Sequence, residues 1–268
     1  MFASYLINAW VAGTIIAVLA GLVGIFVVMR GSAFAAHALP NSAFAGAAGA
    51  YLTGASEVAG LAAFSVGGAV LISALSRRSK RDVATALAIV LMLGLGDFFL
   101  TRTNQYAPEL MGLLLGNSLL IVSSDQVWQT ALLGAATCAL TLALWRPLLV
   151  SSVVPDIAET KGMALRFIDL LFLVVVALTT AAAVLIVGAL LVFCLLIGPP
   201  AAASALANRP GRAVMLSVAL SLLTVWASIA LSAGAFNAPV GFYVGTISAL
   251  MYALGRVAAA YSGFRLSS

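Results

Sequence analysis

The stretch FIDLLFLVVVALTTAAAVLIVGALLVFCLLIGPPAAASAL, Phe167 to Leu206, contains a single ionisable side chain of the Asp/Glu/Lys/Arg set, Asp169. It is an extreme sample of the whole chain, whose 268 residues are 63% hydrophobic and 8% charged, with a mean hydropathy of +1.17. A soluble fold would lack the polar residues to cover so much apolar surface, so the solvent is lipid. In hydrocarbon every backbone amide needs an internal partner, which leaves helices or closed barrels. The apolar segments have the length of a spanning helix and are rich in Ala and Leu, unlike short alternating strands. The reading is an all-α polytopic membrane protein.

Working outward from this run, apolar segments fall at about Leu6–Met29, Ala35–Thr53, Val58–Leu75, Val83–Thr101, Val127–Trp145, Phe167–Val184, Leu185–Leu206, Ala213–Ala233 and Val240–Arg256. That is about nine crossings, eight if the 167–206 run is one tilted helix. The basic residues favour the split. With the N-terminus outside, the cytoplasmic gaps collect Arg30; Arg77, Arg78, Lys80 and Arg81; Arg146, Lys161 and Arg166; Arg209 and Arg212; Arg256 and Arg265. Only Arg102 remains outside, and the positive-inside rule then gives an N-out, C-in topology. Leaving the run unsplit would strand Arg209 and Arg212 on the outer face.

The net charge of +5 is thus a topology signal. Its basic residues are scattered over separate loops, which gives no nucleic-acid surface and suits anionic lipid headgroups. Cys138 and Cys194 both sit inside apolar segments, so neither a disulfide framework nor a zinc knuckle is expected. The first segment lacks a basic leader and has full spanning length, so it is expected to be a retained helix. Without internal repeats or long loops, residues 1–268 are expected to form a single transmembrane domain.

Ionisable residues are costly in lipid and are weighed first. Asp97 and Arg102 fall near the outer end of the fourth segment and Asp169 near the inner start of the sixth, each within reach of water. The single histidine, His37, lies in Ala36-His37-Ala38-Leu39-Pro40-Asn41-Ser42. His37 and Asn41 are four residues apart and share a helix face if Pro40 leaves the turn intact. Two readings fit. The pair bonds across a close helix contact that the small residues from Ala35 to Gly54 permit, or it lines a polar route. In the second case a neutral imidazole and an amide oxygen are weak metal donors, and further donors must come from other helices or a second protomer.

Arg30–Gly46, RGSAFAAHALPNSAFAG, resembles the segment of the zinc and manganese ABC-importer permeases that runs Arg, an apolar stretch, Gly-Asp-Ala-Leu-x-His-Ala, then Gly. Val187–Ala203, VGALLVFCLLIGPPAAA, is similar to the same family's Val-Gly-x-Leu-Leu-apolar-Pro-Ala-Ala run. GLVGIFVVMR before the first motif, LLLGNSLL at Leu113–Leu120 and PDIAETKG at Pro155–Gly162 follow in the family's order across nearly the whole chain. The resemblance implies the type II ABC importer permease fold in the cell membrane, as a homodimer with two cytoplasmic ATP-binding subunits and an extracytoplasmic metal-binding protein. It implies import of a divalent transition metal, zinc first, with manganese or iron as the other candidates. No stably bound cofactor is expected. The chain has no GxxxxGK[ST] loop, so ATP would be hydrolysed by the partner and the chain would not itself be an enzyme.

By the same resemblance, PPAAASALANRPGR, with Pro199, Pro200, Ala205, Asn208, Arg209 and Arg212, would be the element coupled to the ATPase. His37, Asn41 and Asp97 are the candidates for the metal route, with His37 as metal donor. One departure stands out. The family's Asp-x-x-x-His pair is replaced at the corresponding positions by His37 and Asn41, which removes the carboxylate that offsets a cation's charge. By ligand softness His37 leans toward zinc, and a chelate permease of the same architecture is the alternative. An intramembrane enzyme or an ion-coupled carrier is disfavoured, since a single histidine and few embedded acids leave their constellations unbuilt.

Overall fold

The computed structural model describes residues 4–77, 80–102, 122–160, 163–234 and 239–265. Among them are eleven helices: α1 Ser4–Met29, α2 Ala33–Thr53, α3 Glu57–Leu75, α4 Arg81–Arg102, α5 Ser124–Ala143, α6 Trp145–Val153, α7 Pro155–Thr160, α8 Leu165–Val187, α9 Ala189–Leu206, α10 Pro210–Gly234 and α11 Val240–Arg265. The described residues contain no strand. The LLLGNSLL motif, Arg78, Lys161 and Gly162 lie outside them.

Each of the nine apolar segments falls on a helix, with differences that have local causes. As one helix, residues 167–206 would extend about 60 Å, twice the roughly 30 Å of a bilayer's hydrocarbon. The run breaks at Gly188, four residues beyond the expected end at Val184. Gly188 has φ 86° and ψ 155°, a backbone region open essentially to glycine alone. The fifth segment starts earlier than expected because Ser123 and Gln126 form a capping box. Ser123 Oγ accepts from the Gln126 backbone N–H at 3.2 Å, and the Ser123 N–H donates to Gln126 Oε1 at 3.1 Å. At its far end α5 stops at Ala143 and turns by 60° into α6. The last helix continues past Arg256 to Arg265.

Among the described residues seven helices are long and apolar enough to span a membrane, and the bent α5–α6 pair, taken as one span, makes an eighth. The ninth expected crossing, α2, is 21 residues long but falls short in apolarity. His37, Pro40, Asn41, Ser42 and two glycines interrupt its alanines. The reason is its surroundings, since from Ser42 to Ala48 every residue is buried against protein. Helix α2 packs on α3 and α4, and also on α8 and α9, while it barely touches α1, to which it is joined by three residues.

Pairwise contacts give the helix directions. Gly13 and Gly21 of α1 face Val225 and Ser217–Val218 of α10, an antiparallel pair. Asn8 lies by Ser124 and Leu19 by Gly134, so α5 runs parallel to α1. Ser42 faces Gly68 and Gly46 faces Gly60, so α3 is antiparallel to α2, whereas Phe44 with Gly96 and Gly49 with Phe99 make α4 parallel to it. Those are the relations that alternate crossings produce. The core is centred on α1 and α8, 72% and 78% of whose apolar windows are buried, against 28% for α4 and 22% for α11. The outer sides of α4 and α11 expose the large apolar side chains Val90, Leu87, Leu254 and Leu250.

Pro199 and Pro200 lie within α9 without ending it. Each lacks an N–H, which leaves the carbonyls of Leu195 and Leu196 without their helical donors. The Leu196 oxygen and the Pro200 ring pack directly on Gly24 of α1, where a Cβ would overlap both. A glycine there lets the two backbones meet.

Candidate functional site

Helix α2 carries the two polar side chains expected on the metal route. His37 is half-buried, with its ring edge-on to Phe193 of α9 at a centroid separation of 4.9 Å and an interplanar angle of 69°. Pro40 is buried and continues the helix, so His37 and Asn41 do occupy successive turns of one face. Asn41 Nδ2 donates to the His37 carbonyl oxygen at 2.9 Å, which commits one of the amide's two N–H groups to its own helix and leaves its oxygen available. The small residues of α2 bring neighbours close. A Cβ on Gly46 would overlap the Gly60 carbonyl of α3, and Gly96 of α4 packs on Phe44 and Ala45.

Asp97 follows Gly96 and is exposed. Arg102, also exposed, holds its guanidinium over the Phe98 ring at 5.2 Å. Among the described residues no group of three or more His, Cys, Asp or Glu side chains converges. The two candidate donors on α2, an imidazole and an amide, bring no carboxylate. They can orient a passing cation with dipoles but cannot balance its charge. Cys138 and Cys194 are free thiols, each half-buried.

The stretch expected to couple to an ATPase divides in two. Pro199 and Pro200 are buried, Pro200 against Gly24 of α1, and Ala205 is half-buried in the last turn of α9. The exposed part is the corner that follows. The Arg209 carbonyl accepts from the N–H of Ala213 at 2.9 Å, Pro210 takes the first helical position of α10 with its φ already suited to it, and Asn208, Arg209 and Arg212 are all exposed.

A third polar cluster ties α1, α6 and α8 together. Arg30 Nη1 donates to Asp169 Oδ1 at 2.5 Å, Nε to Ser152 Oγ at 2.9 Å, and Nη2 to Ser151 Oγ. Its guanidinium lies over the Phe172 ring at 4.8 Å. Burial pulls the Arg30 guanidinium below its ordinary pKa, while the charge of Asp169 pulls it back up. Neither this network nor Phe193 was legible in the sequence. Arg30 and Asp169 are separated by more than half the chain and fall in different segments, so their only signal was two lone charges of opposite sign assigned to the same face.

The bundle has known counterparts. It superimposes on PsaBC from Streptococcus pneumoniae, solved in complex with Fab, with a TM-score of 0.84 at 24% identity over 95% of this chain and 91% of that one, which shows the fold. The manganese transport system membrane protein MntC of Halalkalibacterium halodurans is 29% identical over 64% of this chain. The manganese import system permease protein ScaB of Streptococcus parasanguinis is 28% identical over 63% of it. The matches span 59% and 61% of those two relatives. The model of the ABC 3 transport family matches residues 3–259, and with it matching nearly end to end on a multi-helix membrane bundle, the chain belongs to the ABC 3 transport family, as a multi-pass protein of the cell membrane.

Proposed function

We propose that this chain is the membrane-spanning subunit of an ATP-driven importer of divalent transition metal ions. The observation that carries the proposal is α2, a 21-residue helix that falls short of the apolarity of a membrane span yet is held inside the bundle with His37 and Asn41 on one face. Burying polar side chains in a lipid-facing protein is costly and marks a route for polar cargo. The protein would be oriented N-out and C-in, act as a homodimer, receive metal from an extracytoplasmic binding protein and be driven by two cytoplasmic ATPase subunits that hold the ATP. The exposed corner of Asn208, Arg209 and Arg212 would rest on the ATPase, with Ala205, Pro199 and Pro200 linking it to α1. Residues 1–268 would act as one transmembrane domain.

Two cargoes have specific support. The names of the curated relatives favour manganese, while the imidazole of His37 in place of a carboxylate favours zinc. His37, Asn41 and Asp97 are assigned to the route, with His37 as the metal donor. Weak donors suit a transporter, which must release what it binds.

The test is ATP-dependent uptake of radioactive zinc and manganese by vesicles containing this chain, its ATPase and the binding protein. Wild type should accumulate one metal. Arg209→Glu should leave the protein in the membrane and ATP hydrolysis running while uptake falls at least tenfold. Unchanged coupled uptake in Arg209→Glu would remove the corner from the mechanism, and no uptake of either metal would shift the cargo to a chelate.

A further inference from the structure

A cavity of about 500 Å³ opens where α3 ends and α4 and α8 begin, lined by Ser73, Ser76, Arg77, Arg81, Arg166 and Asp169, with Phe167 among its apolar walls. Its volume is that of a small-ligand site, yet it holds three guanidiniums and one carboxylate. The carboxylate is already committed, since Asp169 Oδ1 accepts from Arg30. The remaining charge in the cavity is thus that of three arginines. Arg81 Nη2 is buried and has no hydrogen-bond partner among the described residues. A buried guanidinium nitrogen without an acceptor is costly, and it is relieved by an anion. Arg77 and Arg166 are exposed at the mouth and can close over such a group.

We propose that this cavity is a binding site for the phosphate of an anionic phospholipid headgroup. The flanking surface argues for lipid over a soluble phosphate. Phe167 is 59% exposed, and Val83, Leu87 and Val90 form an exposed apolar stripe up α4 at 50%, 55% and 69%. Arg81 lies on the opposite, buried stripe of α4 with Ala84, Thr85 and Ala88, and so points inward from the helix that carries the acyl-chain surface. Ser73 and Ser76 supply hydroxyls at the end of α3, and Ser76 already donates to the Ile72 carbonyl at 2.6 Å, leaving its lone pairs for Arg77 or water. Three arginines can bind the phosphate oxygens in pairs, the geometry that sets guanidinium apart from ammonium. The site sits at helix ends, at the depth where headgroups lie, and basic pockets between membrane helices are suited to such lipids. The proposal is independent of which metal the protein carries.

The purified full-length protein in detergent is titrated with short-chain phosphatidylglycerol, short-chain phosphatidylcholine and glycerol 3-phosphate. Retained lipid is counted by native mass spectrometry, and thermal unfolding is followed in parallel. Phosphatidylglycerol is expected to bind and raise the unfolding temperature, with phosphatidylcholine and glycerol 3-phosphate much weaker. Each of Arg81→Gln and Arg166→Gln should weaken phosphatidylglycerol binding about fivefold, whereas Arg146→Gln, outside the cavity, should not. If Arg81→Gln fails to fold, Arg81→Lys and the wild-type selectivity between the lipids carry the test. Equal binding of both lipids, or unchanged binding in Arg81→Gln and Arg166→Gln, overturns the proposal. Glycerol 3-phosphate binding as tightly as the lipid overturns the lipid assignment in favour of a soluble anion. Loss of ATPase association with lipid binding unchanged would make the cavity a protein-docking face instead.

Discussion

Removing Asp169 is expected to destabilise the bundle more than removing the arginine it pairs with, although the arginine makes more contacts. The side chains are unequally buried, 6% exposed for Arg30 and 47% for Asp169. Deleting one member of a fully buried ion pair costs about 3–5 kcal/mol, mostly because the surviving charge is left desolvated. Asp169→Ala leaves the guanidinium inside, with only the Ser151 and Ser152 hydroxyls and the Phe172 ring for company. Those neutral partners reduce the expected cost to about 2–3 kcal/mol. Arg30→Met instead removes the buried charge and leaves a carboxylate that water reaches. The serines still donate to the Pro147 and Leu148 carbonyls, so the cost is about 1–2 kcal/mol, chiefly lost hydrogen bonds. The double variant should be less destabilised than the sum of the two by about 1 kcal/mol or more, because the groups share one network. Reversible denaturation in mixed micelles, followed by tryptophan fluorescence, measures all three. An Arg30→Met variant as damaged as Asp169→Ala, or additive losses, would refute the argument that a stranded buried charge sets the cost.

Other substitutions test the packing and the route. Gly188→Ala should cost about 1–3 kcal/mol, since φ 86° and ψ 155° are closed to a residue with a Cβ, and its unfolding midpoint in the same micelles should fall accordingly. Gly24→Val should separate α1 from α9, where the Leu196 oxygen and Pro200 leave no room, and lower folded yield by more than the roughly 1–3 kcal/mol typical of overpacking. His37→Ala should keep normal expression and unfolding while reducing metal uptake in vesicles. A loss of folding with uptake per folded molecule unchanged would assign His37 to its contact with Phe193 alone.

Sequence was most informative where lipid imposes a simple rule. Helices, their spacing and the need to divide residues 167–206 all follow from hydrocarbon thickness and backbone satisfaction, and each appears in the bundle. The break itself was displaced, because apolarity is uniform from Val184 to Ala189 and only the backbone demand met by Gly188 distinguishes one residue from the next. The α5 start was missed for a similar reason: Ser123 and Gln126 signal a cap, but a hydropathy profile does not weigh caps. At the candidate site, the shared face of His37 and Asn41 was legible from their spacing. That Asn41 bonds its own helix's backbone and that Phe193 meets His37 edge-on were not, since the first depends on a rotamer and the second on a helix more than 150 positions away. Residues 199–212, expected to couple to an ATPase, were read as one unit, whereas they form a buried proline step followed by an exposed corner.

Helix α2 also bears on how the protein is made. A segment enters a bilayer during synthesis according to its own apolarity, with polar residues near its centre strongly opposed. The seven strongly apolar helices can each be inserted on their own merit, but α2, with His37, Pro40 and Asn41, gains little from lipid. Helix α1 emerges first yet scarcely touches it, and the neighbours that bury it earliest in the chain are α3 and α4, through Gly60, Gly68 and Gly96. Insertion of α2 is therefore tied to synthesis of the residues that follow it, and truncation before α4 should leave it outside the membrane.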